Sequence, residues 1–181
     1  MIPPLYGLVL AGGFSSRMGR DKGSLIYHGL DQRSHCAELL RPFCDDVFVS
    51  LREEQKDLAS LTLKPVFDQQ KIGPASGLLA AFEKNPKAAW LVLACDMPFV
   101  TSDSVKTLVN HRNPACAATV YTLSGIEPLF AIWEPAALAH LKNETLRGKS
   151  SPRRALETLT CELIPGNPSI LRSVNAPLSI S

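Results

Sequence analysis

Apolar and polar positions follow two rhythms along this chain, and the rhythms alternate. Residues Leu5–Leu10 form a short apolar run that ends in Ala11-Gly12-Gly13, which predicts a strand entering a glycine-rich turn. Over residues 33–43, Cys36, Leu39, Leu40 and Phe43 recur at i, i+3, i+4 and i+7, one face of a helix. Residues 46–51 and 64–67 predict two further strands, the second closed by Asp68. Helical spacing returns over 73–84, with Leu78, Leu79 and Phe82 facing inward. Ala89–Ala94 is a strongly apolar strand closed by Cys95-Asp96. Thr101 and Ser102 are cap candidates for a helix through Asn110, whose core positions are Val105, Leu108 and Val109. Strands over 117–121 and 129–133, helices over 135–141 and 151–159, and a last strand over 161–164 complete the pattern.

Strands that alternate with helices predict an α/β layered fold around a mainly parallel sheet. No internal repeat or low-complexity linker divides the chain, so residues 1–181 are expected to form a single domain. Three polar features directly follow apolar strands: Gly12-Gly13, Asp68 and Asp96. Ligands of open α/β sheets bind outside the carboxyl ends of the strands, so the three are expected to meet on one edge.

Composition narrows the partners. With 45% apolar and 20% charged residues the chain is globular rather than disordered. Its net charge of +2 comes from scattered basic residues, which form no continuous cationic face for nucleic acid. The five cysteines are odd in number and none are spaced as C-x-x-C, a pattern expected of reduced thiols in a reducing cytoplasm. The four histidines form no ligand-like pair, so zinc has no support. The first ten residues lack a basic n-region and no stretch approaches a membrane span, so a cytoplasmic location without membrane attachment is expected. A monomer is the working expectation, although no residue pattern fixes the oligomeric state.

Candidate chemistry concentrates in Leu10-Ala11-Gly12-Gly13-Phe14-Ser15-Ser16-Arg17-Met18-Gly19-Arg20-Asp21-Lys22. Glycines let backbone N–H groups approach phosphate oxygens, and Arg17, Arg20 and Lys22 can supply countercharge. The segment fits neither G-x-x-x-x-G-K-[ST] nor G-x-G-x-x-G, and charge and glycine alone read equally as a charged surface loop. At Asp96 a carboxylate is a helix cap, an ion-pair partner or a metal ligand; the residues alone favour a structural role. Lys149, Arg153 and Arg154 flank Ser150-Ser151, which is either a helix N-terminus with solvated charges or an anion-binding loop. Trp90 and Trp133 lie in strand patterns and read as packing.

The stretch 10–22 resembles the L-A-G-G-x-S-x-R-M-G-x-D-K signature of nucleotidyltransferases, and more narrowly the molybdenum cofactor guanylyltransferase group. The resemblance continues at Gly73-Pro74-Ala75-Ser76-Gly77, Ala94-Cys95-Asp96-Met97-Pro98-Phe99, Pro128-Leu129-Phe130 and Val174-Asn175-Ala176-Pro177, in the expected order. It implies a three-layer, Rossmann-like nucleotidyltransferase fold, with residues 1–100 as the nucleotide half and 101–181 as the acceptor half. It implies transfer of GMP from Mg-GTP to molybdopterin with release of pyrophosphate. Leu10, Ala11 and Gly12 would hold the guanine and ribose end of GTP, and Gly13 would begin the wrap around the phosphates. Lys22 would contact those phosphates, with Arg17 beside it as a second catalytic cation. Asp68 would stand at the base end, Gly77 would pack beside the nucleotide, and Asp96 would bind Mg²⁺. Ser150, Arg153 and Asn175 would face the acceptor.

Ser50 and Ser173 stand where many members of that group carry asparagine. A cytidylyltransferase acting on the same pterin and a sugar-phosphate nucleotidyltransferase are therefore alternatives, as is a non-catalytic protein that binds the nucleotide and hands on the cofactor.

Overall fold

The computed structural model describes residues 2–11, 31–53, 55, 63–68 and 70–173. Among them the strands are β1 (Leu5–Leu10), β2 (Asp46–Arg52), β3 (Lys64–Asp68), β4 (Ala89–Ala94), β5 (Ala118–Thr122), β6 (Ile126–Trp133) and β7 (Cys161–Pro165). The helices are α1 (Gln32–Leu40), α2 (Pro74–Lys84), α3 (Ser102–Asn110), α4 (Pro135–Leu146) and α5 (Pro152–Glu157). One sheet carries the strands in the order β3-β2-β1-β4-β6-β5-β7. All its neighbouring pairs are parallel except β4–β6 and β5–β6, so β6 alone runs against the others.

Side chains alternate across the sheet as the pleat requires. Ala89, Leu91 and Leu93 of β4 join Leu5 and Val9 of β1 in a core under α1 and α3. Trp90 and Val92 join Leu8 in a second core under α2, α4 and α5. Both faces are thus covered, which makes this a three-layer α/β fold and explains why β4 reads as an unbroken apolar run. Trp90 and Trp133 are wholly buried, as their strand positions predict.

Some boundaries differ from the expected ones, each for a local reason. Helix α1 ends at Leu40 instead of running to Phe43, because Pro42 disfavours helix at the residue before it and residues Arg41–Phe43 form a 3-10 turn. Its buried face begins with Gln32 and Arg33, polar residues that a hydrophobic pattern cannot flag. Helix α4 continues to Leu146, since its last turn is polar and offers no core positions to count. Helix α5 is shorter than expected, stopping at Glu157. Strand β6 starts three residues early, at Ile126. Pro128 lies where the β5–β6 register shifts between Val120 and Thr122, an irregularity that accepts a residue with no N–H.

The reversed strand brings the second half of the chain to the edge where the parallel strands end. The carboxyl ends of the parallel strands share one edge, and β6 begins at that same edge. Helix α4 starts at the opposite edge and returns over 12 residues, about 18 Å. This brings residues 147–151 and the start of α5 back to the edge where the parallel strands end.

Candidate active site

The site is built on the end of β1. The ladder pairs Leu10 with Ala94, and the Cys95 N–H donates to the Leu10 carbonyl at 3.2 Å, which carries the pairing one step past β4. Ala11, the residue that leads into the glycine-rich segment, is thus level with Cys95, and Asp96, half-buried, is the next residue along. Gly12, Gly13, Arg17, Lys22 and Asn175 lie outside the described residues.

Asp68 is the last residue of β3, and β2 and β1 lie between β3 and β4. Three strand spacings, about 14 Å, separate its strand from that of Asp96. Oxygens that share one Mg²⁺ each lie about 2.1 Å from it, so these two carboxylates cannot hold the same ion. They mark opposite ends of a four-strand edge.

Helix α2 closes against this edge. Pro74 occupies its first turn and Gly73, at φ 72°, turns the chain into it. The Ser76 hydroxyl donates to the Gln70 carbonyl and accepts from the Ile72 N–H, which fixes the entry loop. Gly77 then meets the sheet directly. A Cβ there would lie 2.5 Å from Ser50 Oγ and 2.6 Å from Leu10 Cδ2, so only glycine lets helix and strands approach this closely. Ser50, 1% exposed, fills the joint between β2 and α2.

On the other side of Asp96 the reversed strand contributes Glu127. Its Oε1 accepts from the Leu129 N–H at 3.1 Å. Burial pushes the Glu127 carboxyl above its ordinary range; the Leu129 N–H and the Arg153 charge pull it back, and the Asp96 charge pushes it up. Glu127 thus lies within the fields of both Arg153 and Asp96. Arg153 stands in the first turn of α5, with its guanidinium over Gly125 in the β5–β6 turn. Ser150 is half-buried just before α5, and Ser151 caps that helix by accepting from the Arg154 N–H. Lys149 turns away: its Nζ pairs with Glu144 at 3.6 Å. The sequence cluster of three basic residues is thereby divided, and Arg153 is the member whose field reaches Glu127.

Cys95 is 6% exposed beside Cys36; a hydrogen bond with Cys36 and burial push its thiol well above the ordinary range. Burial pushes the Cys44 thiol up to about 12. Neither forms a thiolate near neutral pH, so the chemistry of this edge belongs to carboxylates, cations and backbone. All five cysteines are free.

The donor set suits a hard cation. Among the described residues no group of three or more His, Cys, Asp or Glu gathers as a protein cage. One or two carboxylates at an open edge match Mg²⁺, which takes most of its oxygens from phosphates and water. Sequence reasoning singled out Asp68 and Asp96 because each closes an apolar strand. It placed Glu127 only ahead of a strand in the acceptor half and gave it no role, since its position depends on a strand reversal that no local pattern encodes.

Comparisons with known proteins identify the family. The family model of the MobA-like NTP transferase domain matches residues 7–163, from within β1 to within β7. A molybdenum cofactor biosynthesis bifunctional protein of Synechocystis sp. is 34% identical over 180 residues, which cover 96% of this chain and 52% of that protein. The chain thus spans about half the length of that relative. A molybdenum cofactor guanylyltransferase of Pseudomonas aeruginosa is 33% identical over 184 residues, covering 97% of this chain and 92% of the relative. The solved structure of molybdopterin-guanine dinucleotide biosynthesis protein A from Archaeoglobus fulgidus superposes with a TM-score of 0.74 at 26% identity, covering 88% of this chain and 83% of that one. With a family model spanning all but the ends of the sheet and relatives that match nearly its whole length, the chain belongs to the MobA-like NTP transferase family.

Proposed function

We propose that this chain is a molybdenum cofactor guanylyltransferase, which transfers GMP from GTP to the phosphate of molybdopterin and releases pyrophosphate. The observation that carries this is one sheet edge with two sides. Asp96 follows the end of β4, which pairs with the end of β1, and Glu127, Ser150 and Arg153 come to the same edge from the second half of the chain. Relatives that carry the guanylyltransferase name supply the base and the acceptor.

The acceptor's phosphate oxygen attacks the α-phosphorus in line, and the bond to pyrophosphate breaks. The nucleophile is already an anion, so no strong general base is needed; positioning and charge neutralisation carry the rate. Backbone N–H groups at Gly12 and Gly13 hold the phosphates, while Lys22 and Arg17 balance the charge that develops on the leaving group. Leu10 and Ala11 support the guanine and ribose end, with Gly77 packed beside it and Asp68 at the far end of the edge. Asp96 would hold Mg²⁺, which would supply neutralisation of phosphate charge. Ser150, Arg153 and Asn175 receive the acceptor's anionic end. Residues 1–100 thus serve the nucleotide and 101–181 the acceptor. Both substrates are small molecules, and this reading needs neither nucleic acid nor membrane, nor a second copy of the chain. Five free cysteines suit a reducing cytoplasm.

The test is pyrophosphate release with molybdopterin and each of the four Mg-NTPs in turn. GTP should support turnover, and CTP, ATP and UTP less than about a tenth of it. Equal or greater turnover with CTP would make the chain a cytidylyltransferase. Tight Mg-GTP binding with no pyrophosphate released would reduce it to a binding protein.

A further inference from the structure

Strand β6 brings to the edge a carboxylate that has no part in the transfer step. In the β4–β6 ladder Trp90 pairs with Trp133 and Leu93 with Phe130, one residue down for each residue up. Glu127 and Asp96 each lie three residues beyond the Leu93–Phe130 pair, at the same edge of the sheet. Two carboxylates brought to one edge repel, and the Asp96 charge acts on Glu127.

The neighbouring turn supplies the opposite charge. Gly125 has φ 145°, and a Cβ built on it would lie 3.2 Å from Arg153 Nη1 and 3.8 Å from Cζ. The guanidinium therefore rests on bare backbone, in space that any other residue would fill. Arg153 otherwise belongs to an exposed part of α5, and an arginine stem is long and flexible. The Arg153 charge acts on Glu127, and Asp96, whose charge acts on the same Glu127, is a second anion at this edge. A guanidinium drawn onto Asp96 would occupy the oxygens that a metal needs.

We propose that Glu127 is a positioning residue that keeps Arg153 at the β5–β6 turn, facing the acceptor and off Asp96. Glu127 is suited to this role because its Oε1 is anchored on the Leu129 N–H, which fixes the carboxylate relative to the strand. Its field draws the guanidinium toward β6, and the five donors of the fork leave several for an incoming anion. The inference rests on the assignments of Asp96 to the metal and Arg153 to the acceptor.

Glu127→Gln removes the charge but keeps an oxygen for the Leu129 N–H, so the fold should be retained, as circular dichroism and thermal melting would show. Two readouts follow. In the variant the KM for molybdopterin should rise about tenfold with the KM for GTP unchanged, and Mn²⁺ binding, followed by the electron paramagnetic resonance of the free ion, should weaken by a similar factor. Arg153→Ala should raise the acceptor KM but leave Mn²⁺ binding intact. In the Glu127→Gln, Arg153→Ala double variant, Mn²⁺ binding should return to the wild-type level, because the intruding cation is gone. A metal defect that persists in the double variant overturns the inference and makes Glu127 a metal ligand in its own right. Unchanged acceptor KM and Mn²⁺ binding in Glu127→Gln overturns it outright. Equal Mn²⁺ binding by wild type and Asp96→Asn would instead overturn the assignment of Asp96 on which it rests. Glu127→Asp, which restores the charge on a shorter stem, should recover part of both losses.

Discussion

At the scale of single residues, the proposed function depends on where a charge stands and on how closely backbones approach. Asp96, in the proposed mechanism, acts on developing charge more than on the resting nucleotide. Asp96→Ala should therefore lower the single-turnover rate of pyrophosphate release by about 10²–10³, with Mg-GTP affinity by calorimetry changed only severalfold. Equal losses in rate and affinity would mean that the residue serves ground-state binding. Gly77 tests the second kind of dependence. In an ordinary helix Gly→Ala gains about 1 kcal/mol. Here the new Cβ would overlap Ser50 and Leu10, and such overpacking costs about 1–3 kcal/mol. Gly77→Ala should thus melt lower than wild type and bind GTP less well, and Ser50→Gly in the same chain should recover part of both. Asp68 and Asp96 were legible as site candidates because a carboxylate that closes an apolar strand has few structural reasons to be there. Glu127 was not, because Glu127-Pro128 reads locally as a break before a strand, and the reason for the glutamate lies across the sheet.

At the scale of elements, legibility followed burial. Ala89–Ala94 was readable to the residue since both its faces are covered and every position is apolar. The start of α3 was legible to within a residue: of the two cap candidates, Thr101 and Ser102, the structure uses Thr101. Thr101 accepts from the Ser104 N–H at 3.2 Å and Ser104 Oγ accepts from the Thr101 N–H at 3.0 Å, a reciprocal cap written in the sequence as two hydroxyl residues three apart. Thr101→Ala should cost about 1 kcal/mol in urea unfolding, with catalysis unchanged. A Thr101→Ala chain as stable as wild type would mean that the Ser104 half of the cap suffices. Elements whose ends face solvent were harder to bound. The last turns of α4 are polar and exposed around Lys142 and Asn143, so nothing in the apolar pattern marks where the helix stops. The first turn of α1 misled in the opposite way: Gln32 is fully buried and Arg33 nearly so, yet both look like surface.

At the scale of the molecule, the two edges of the sheet do different work. The edge where the parallel strands end gathers the groups of the proposed site, while the opposite edge is held together by a shared ion pair. There Arg112, just past α3, reaches Glu134 at the start of α4 with Nε–Oε1 2.7 Å and Nη2–Oε2 3.1 Å, and its Nη2 also donates to the Pro3 carbonyl at 2.9 Å. Three segments distant in sequence meet in this one guanidinium: the entry to β1, the end of α3 and the junction of β6 with α4. Glu134 is only 3% exposed, so removing Arg112 strands a buried carboxylate without this cation. Arg112→Ala should cost about 3–5 kcal/mol of unfolding free energy, whereas the paired change Arg112→Met, Glu134→Leu, which leaves no orphan charge, should recover most of it. Arg112→Lys should fall between, since an ammonium cannot form the two-pronged contact. None of these should alter GTP turnover at temperatures well below the melt, because Arg112 and Asp96 sit at opposite ends of the strands. Loss of turnover in folded Arg112→Ala would show instead that this ion-paired edge transmits strain through the β1–β4 ladder to the site.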